Sequence, residues 1–237
     1  MTIEPSFRGP APLHHTLLAN RSKTGITLQS LHPTSFDHGI ILAQTPYPGF
    51  DIPDPETITI QELQSLVAPK GAEMLIRGLR ERVFVPPSME VGWWSNAQLR
   101  GQGHEIRHAP KITPRDRHID WFSFTANEIL RRQRVLGPLW NIATGLGGRK
   151  RVIMTLSCRP VSENAPVEEI GLPFLWSSSD MDMPILVVRT KDQQMLHVVE
   201  MTVEGERNAD AVKAATGAEL LKERKRGKLV TFHEILM

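Results

Sequence analysis

The chain has 237 residues, 40% of them hydrophobic and 23% charged, with a formal net charge of +2. That length and balance describe one or two globular domains and exclude a low-complexity chain. No apolar run approaches the roughly 18 residues that cross a bilayer. Cys158 is the only cysteine, so no disulfide can form within the chain. It lies in Ile153-Met-Thr-Leu-Ser-Cys, which reads as a strand, and free cysteine at such a place is expected as a small buried core residue.

The opening Met1-Thr-Ile-Glu-Pro has neither the basic and apolar regions of a secretory signal nor an Arg-rich amphipathic presequence. Pro5-Ser-Phe-Arg-Gly-Pro-Ala-Pro is punctuated as a loop and leads into a two-turn helix over 13–19. Residues 24–44 carry two apolar runs around a polar turn, predicting a strand pair with Asp37, His38 and Gly39 in its connection. Residues 45–55 form a Pro-rich connection. Over 57–82, Ile60, Leu63, Leu66 and Val67, then Met74, Leu75 and Leu79, recur at three- and four-residue spacing. This predicts a helix capped by Thr59, with Gly71 allowing close packing against a sheet.

Residues 84–110 have little periodicity and read as a surface connection between two folding units. A second helix is expected from Ser123 or Thr125, with Ala126, Ile129, Leu130 and Gln133 on one side and Gly137-Pro138 as its stop. Strands follow at 152–156, 185–188, 196–203 and 229–231, and a helix over 209–221 interrupted near Gly217. Short strands with one inserted helix predict a small barrel of the OB type.

The chemistry-bearing residues fall into two groups. A carboxylate on a turn between two buried strands is held where it can move a proton or orient a water, which singles out Asp37. Arg131, Arg132, Arg134, Arg149, Lys150 and Arg151 lie in a stretch without an acidic residue, and 222–228 carries five basic residues against Glu223. Such clusters track a phosphate backbone, and a solvated surface face has the same composition. No metal-ligand spacing is present. His104 and His108 are four apart in a Gly-rich loop, and Gly145-Leu-Gly-Gly precedes a strand rather than a helix, so neither forms a metal or nucleotide motif.

Four segments together resemble the methionyl-tRNA formyltransferase family. They are Arg8-Gly-Pro-Ala-Pro, Thr24-Gly-Ile-Thr-Leu through Asp37-His-Gly-Ile-Ile-Leu-Ala-Gln, Lys111-Ile through Ile119-Asp-Trp with Gly137-Pro-Leu-Trp beyond it, and Val199-Glu-Met-Thr-Val-Glu-Gly. The second is shared by folate-dependent formyltransferases that act on other amines, such as a sugar nucleotide or a purine precursor. The third and fourth favour the tRNA branch. The resemblance implies an α/β fold plus a β-barrel: the C-terminal half of a Rossmann-like formyltransferase domain over 1–100, a linker over 101–122, and an OB-like tRNA-binding domain over 123–237.

The implied reaction moves a formyl group from 10-formyltetrahydrofolate to the amino group of methionyl-initiator tRNA. The amine attacks the formyl carbon, so an oxyanion needs positioned donors, the amine must lose a proton and the leaving nitrogen must gain one. By resemblance Asp37 is the catalytic carboxylate. Arg8, His38 and Gly39 lie beside the formyl donor, and Lys111, Arg115, Arg117, Arg131, Arg132 and Arg134 hold tRNA. No metal is implied, and the protein is expected as a monomer in the mitochondrion, without a membrane partner. His14 and His15 fall where the family has helix residues, so they do not replace its catalytic His. The family's Asn-x-His and Ser-Leu-Leu-Pro should precede Arg8, where this chain has Met1-Thr-Ile-Glu-Pro-Ser-Phe. The chain is therefore expected to be N-terminally truncated and, alone, a poor or inactive catalyst. A tRNA-binding remnant without catalysis is the alternative.

Overall fold

The computed structural model describes residues 2–3, 7–34, 39–93, 107–145, 147–159, 169–177, 183–223 and 230–232. The chain divides into two compact units, Met1–Ile112 and Thr113–Met237. The boundary falls inside the stretch read as a linker. Arg107–His108 pairs with a strand of the first unit, while Ile119 and Trp121 enter the core of the second.

The first unit runs β1 Thr2–Ile3, β2 Phe7–Arg8, α1 Pro12–Leu18, β3 Lys23–Thr24, β4 Ile26–Gln29, β5 Ile41–Gln44, β6 Phe50–Asp51, α2 Ile60–Arg80 and β7 Arg107–His108. β4 is the centre of the three-stranded sheet β1-β4-β5, β3 pairs with β6, and β2 pairs with β7. The unit is α/β as expected. Its sheet corrects the expectation of a parallel Rossmann-like half, because among the described residues only β2 and β7 run parallel. The short return through 30–40 brings β5 back along β4, and so short a connection gives an antiparallel pair.

α2 starts where the sequence indicated. Thr59 accepts from the Glu62 amide, and the Glu62 carboxylate accepts from the Thr59 amide, closing a capping box. Leu63, Val67, Gly71 and Gly78 form its buried side. A tight approach to the sheet is seen at Gly78, where a Cβ would lie 2.6 Å from Leu28 Cδ2, and Gly71 is buried on the same side of the helix.

The second unit opens with a 3-10 turn, Pro114–Arg117, followed by α3 Ala126–Leu136 and β8 Leu139–Gly145. Then come β9 Gly148–Arg159, β10 Pro173–Trp176, β11 Ile185–Arg189, β12 Met195–Val203, β13 Ala209–Asp210, α4 Ala211–Gly217, β14 Leu221–Glu223 and β15 Val230–Phe232. Among the described residues these strands form one antiparallel sheet in the order β14-β15-β10-β11-β12-β9-β8, with β13 on β12. The sheet curls into a half-barrel, bringing residues of β15 within 8 Å of β8.

Alternation along the long strands builds the core. Leu139 and Ala143 of β8 and Val152, Met154 and Leu156 of β9 point inward to meet Leu186, Leu196 and Met201. Ile119, Trp121 and Ile129 close one side, and α4 packs Ala211, Ala214 and Ala215 on the same core. α3 is capped by a Thr125–Glu128 capping box and ends at Gly137, whose φ of 84° suits a residue without a Cβ. Gln133 extends the ladder of β9 beyond the reach of β8: its amide donates to Leu156 O at 2.9 Å and accepts from Leu156 N at 2.7 Å.

Three expectations are corrected here. The helix over 209–221 ends at Gly217, and β14 follows. β8 and β10 were not expected as strands. β8 breaks the apolar pattern with Asn141, an inward residue made tolerable because its Nδ2 donates to Ile119 O and its Oδ1 accepts from Ile142 N. Cys158 is exposed rather than buried, two residues past Leu156, the last residue of β9 in the core.

Candidate functional site

The connection carrying the Asp37 motif rises from a rigid base. Ser30 N donates to Ile40 O at 2.9 Å, and Ser30 Oγ accepts from Ile40 N at 2.9 Å, so the β4–β5 ladder gains one more pair before the chain departs. Gly39 sits inside this closure. A Cβ there would lie 1.7 Å from Ser30 O, so the position needs glycine for close backbone approach. Asp37 and His38 lie outside the described residues. Leu31, at the start of the connection, is 93% exposed, an apolar side chain presented to solvent beside the motif.

The far edge of β5 is sealed by residues the sequence left as a surface connection. Glu90 Oε2 accepts from Ile41 N at 3.2 Å, and Val91 N donates to Ile41 O at 3.0 Å. Trp93 N donates to Gln44 Oε1 at 2.8 Å and its indole to Thr45 O at 2.7 Å. These bonds fix the strand from which the Asp37 connection hangs. The apolar alternation of Val91 and Trp93 was the one sequence signal for them.

Arg8 is half-buried on β2, in register with His108. The glycine that follows is obligatory: Gly9 has φ of 133°, and a Cβ there would lie 2.5 Å from Ala109 O. Pro12 then occupies the first turn of α1, where its missing N–H costs nothing. His15 Nε2 lies 3.0 Å from Pro110 O and its ring packs on Phe7. It therefore anchors α1. His32 Nδ1 accepts from Thr34 N within its own turn.

The basic residues are divided between the two units. Lys111 is exposed and belongs to the first unit, whereas Arg115 and Arg117 are exposed on the 3-10 turn of the second. Arg131, Arg132 and Arg134 share α3 and are each half-buried. Arg132 joins α3 to the turn: its Nη1 donates to Asp116 O at 3.1 Å, and its guanidinium lies 4.1 Å from the Phe124 ring centroid. Burial lowers its pKa, against the pull of Asp116 and Glu128. Of the cluster at 222–228, Arg224, Lys225, Arg226 and Lys228 lie outside the described residues.

Trp121 is packed in the core of the half-barrel, and Asp120 beside it bonds within its own turn. Asp120 Oδ1 accepts from the amides of Phe122 and Ser123, and hydrogen bonding from Ser123 holds its carboxyl below the usual range. Trp121 is 2% exposed. Gly171 faces it with φ of 78°, where a Cβ would be 2.9 Å from Trp121 Cβ. Among the described residues no group of His, Cys, Asp and Glu is placed to hold a metal ion, and no helix is long and apolar enough to cross a membrane.

The sequence is similar to methionyl-tRNA formyltransferases. The mitochondrial enzyme of Saccharomyces cerevisiae is 27% identical over 230 residues, 86% of this chain and 54% of its own. The human mitochondrial enzyme is 34% identical over 59% of this chain and 32% of its own, and that of Ehrlichia canis is 32% identical over 65% and 44%. The chain thus spans about half the length of the yeast relative and about a third of the human one. No family model matches. Among solved structures, HypX from Aquifex aeolicus in complex with tetrahydrofolic acid superposes with a TM-score of 0.54 at 16% identity, covering 99% of this chain and 38% of that one. A HypX variant gives 0.53 over 91% of this chain. These structures share the fold.

Proposed function

We propose that this chain, related in sequence to the methionyl-tRNA formyltransferases over 86% of its length, serves the transfer of a formyl group from 10-formyltetrahydrofolate to the amino group of methionyl-initiator tRNA. The observation that carries this reading is the run of similarity to enzymes of that one name in yeast, mammals and bacteria. On this reading the second unit's curled sheet is an OB-like domain that holds tRNA. The mitochondrial relatives support a mitochondrial setting, with the protein acting as a monomer.

The residues divide the work by chemistry. Asp37 orients a proton acceptor or water as the attacking amine loses its proton. Gly39 sets the loop geometry, and His38 and Arg8 face the formyl donor. Lys111, Arg115, Arg117, Arg131 and Arg134 contact phosphates, which position an RNA without reading it. Arg132 contributes by holding the Arg115–Arg117 turn against α3. No step calls for a metal.

A second reading is tRNA binding without catalysis, and it rests on the exposed Arg115 and Arg117 of the 3-10 turn. One experiment separates the two. Purified chain is mixed with formyl-labelled 10-formyltetrahydrofolate and methionyl-initiator tRNA, and both bound tRNA and labelled formyl-methionine are measured. Transfer, however slow, that disappears in Asp37→Asn supports the enzymatic reading. Bound tRNA with no label transferred supports the second, and neither binding nor transfer sinks both.

A further inference from the structure

Strand alternation divides the basic run 149–151 between the two faces of the β8–β9 hairpin and places Trp140 on the outer one. Trp140, Ile142 and Thr144 of β8 point away from the core, opposite Ile153, Arg151 and Arg149 of β9. Arg149 and Arg151 are exposed. The Arg151 guanidinium lies over the Trp140 ring, 4.5 Å from its centroid. That indole is itself fixed: its Nε1 donates to Pro114 O at 2.7 Å, and the His118 ring meets it edge-on at 4.7 Å. Pro114 begins the turn that presents Arg115 and Arg117.

The charges on this hairpin are handled differently on its two faces. Lys150, with the inward parity, is met by Glu206 at 3.8 Å. Glu204 lies next to Arg151, but its carboxylate accepts from the Arg151 backbone amide at 3.1 Å. Neither Arg149 nor Arg151 takes part in an ion pair among the described residues. An arginine held over an indole by a cation–π contact keeps N–H groups for an anion and loses little freedom when one binds. Residues two apart on a strand are about 6.6 Å apart, so Arg149 and Arg151 present two cations in a row along β9.

We propose that this outer face is an RNA backbone seat, with the Arg151–Trp140 stack as its fixed phosphate contact and Arg149, Arg115 and Arg117 extending it. The inference rests on the reading that the chain handles tRNA. It places the main contact on β9, away from the α3 arginines, whose middle member is committed to Asp116 and Phe124. A mix of planar guanidinium and aromatic surface suits a nucleic acid, whose phosphates and bases use both.

The test measures the affinity of the full chain for initiator tRNA and for an unrelated RNA hairpin at about 50 and about 200 mM salt. Arg151→Ala is expected to weaken both RNAs several-fold and to lower the salt slope by about one. Arg151→Lys is expected to keep the slope and still lose affinity, because an ammonium lacks the planar guanidinium held over Trp140. Lys150→Ala should change neither. The proposal is overturned if the wild type binds neither RNA, or if Arg149→Ala and Arg151→Ala both bind like the wild type. It is equally overturned if Lys150→Ala loses as much, or if the chain binds only phosphatidylserine vesicles. Formyl transfer separates the two readings. Absent transfer with RNA binding that responds to Arg151 defeats the enzymatic reading alone, and transfer with an unchanged tRNA KM in Arg151→Ala defeats this one alone.

Discussion

Single atoms decide several positions in this protein, and glycine marks most of them. At Gly39 the missing Cβ is the space occupied by Ser30 O, 1.7 Å from where that carbon would stand. Gly39→Ala must therefore push apart the Ser30–Ile40 pair that closes the β4–β5 ladder. The expected cost is about 1–3 kcal/mol, read by urea or thermal unfolding of the full chain. Wild-type stability in Gly39→Ala would show that the base of the loop is not closed as described. Gly9 and Gly171 follow the same logic against Ala109 O and Trp121. Glycine at all three was visible in the sequence, but the carbonyl or ring that makes it necessary was not. That neighbour arrives from 9 residues away at Gly39, and from 100 and 50 away at Gly9 and Gly171.

Elements were legible where local chemistry governs them. α2 and α3 both announce themselves by Thr-x-x-Glu, and both capping boxes form. β11 and β12 were readable because their apolar, β-branched runs are buried. β8 was hidden because Asn141 occupies a core-facing place, with Ile119 O and Ile142 N as its partners. Gln133 is the clearest case of an element completed from outside. A polar residue on the apolar side of α3 serves as one more strand residue for Leu156. Gln133→Leu leaves the Leu156 amide and carbonyl without those partners, and is expected to cost about 1–3 kcal/mol. Thr125→Ala, which removes only the cap, should cost about 1 kcal/mol. Urea unfolding of both variants checks the order, and a smaller loss in Gln133→Leu than in Thr125→Ala would contradict it.

At the scale of the whole molecule, the second unit's titratable groups act in one direction. His118 and His197 lie below the usual imidazole value of 6.5, chiefly because they are partly buried, with Arg115 adding to this at His118 and Arg159 at His197. Asp120 and Glu128 lie below the usual carboxyl values, held there first by hydrogen bonds from Ser123 and from the Thr125 amide. A folded-state pKa below the unfolded one means that the unfolded chain takes up protons first as the pH falls. Stability is therefore full above 6.5, falls as the histidine window is crossed, and falls again through the carboxyl window near 4. Melting temperature measured from pH 8 to pH 3 should decline in these two steps, and His118→Gln should flatten the upper one. A melting temperature that holds or rises on acidification through 6.5 would refute the assignment.

Sequence alone determined what depends on neighbours a few residues apart: the caps of α2 and α3, the strands β11 and β12, and the motifs that resemble the formyltransferases. These signals survive in one dimension because hydrogen-bond caps, turn geometry and strand alternation act over a handful of residues. The tertiary structure decided which side chains are available for work. It spent Arg132 on Asp116 and Phe124, left Cys158 exposed beyond the core, and brought Glu90 and Trp93 onto β5. It also laid Arg151 on an indole held by Pro114. Those outcomes join residues far apart in the chain, and only the packed fold sets whether a charge there is spent on a neighbour or presented to a ligand.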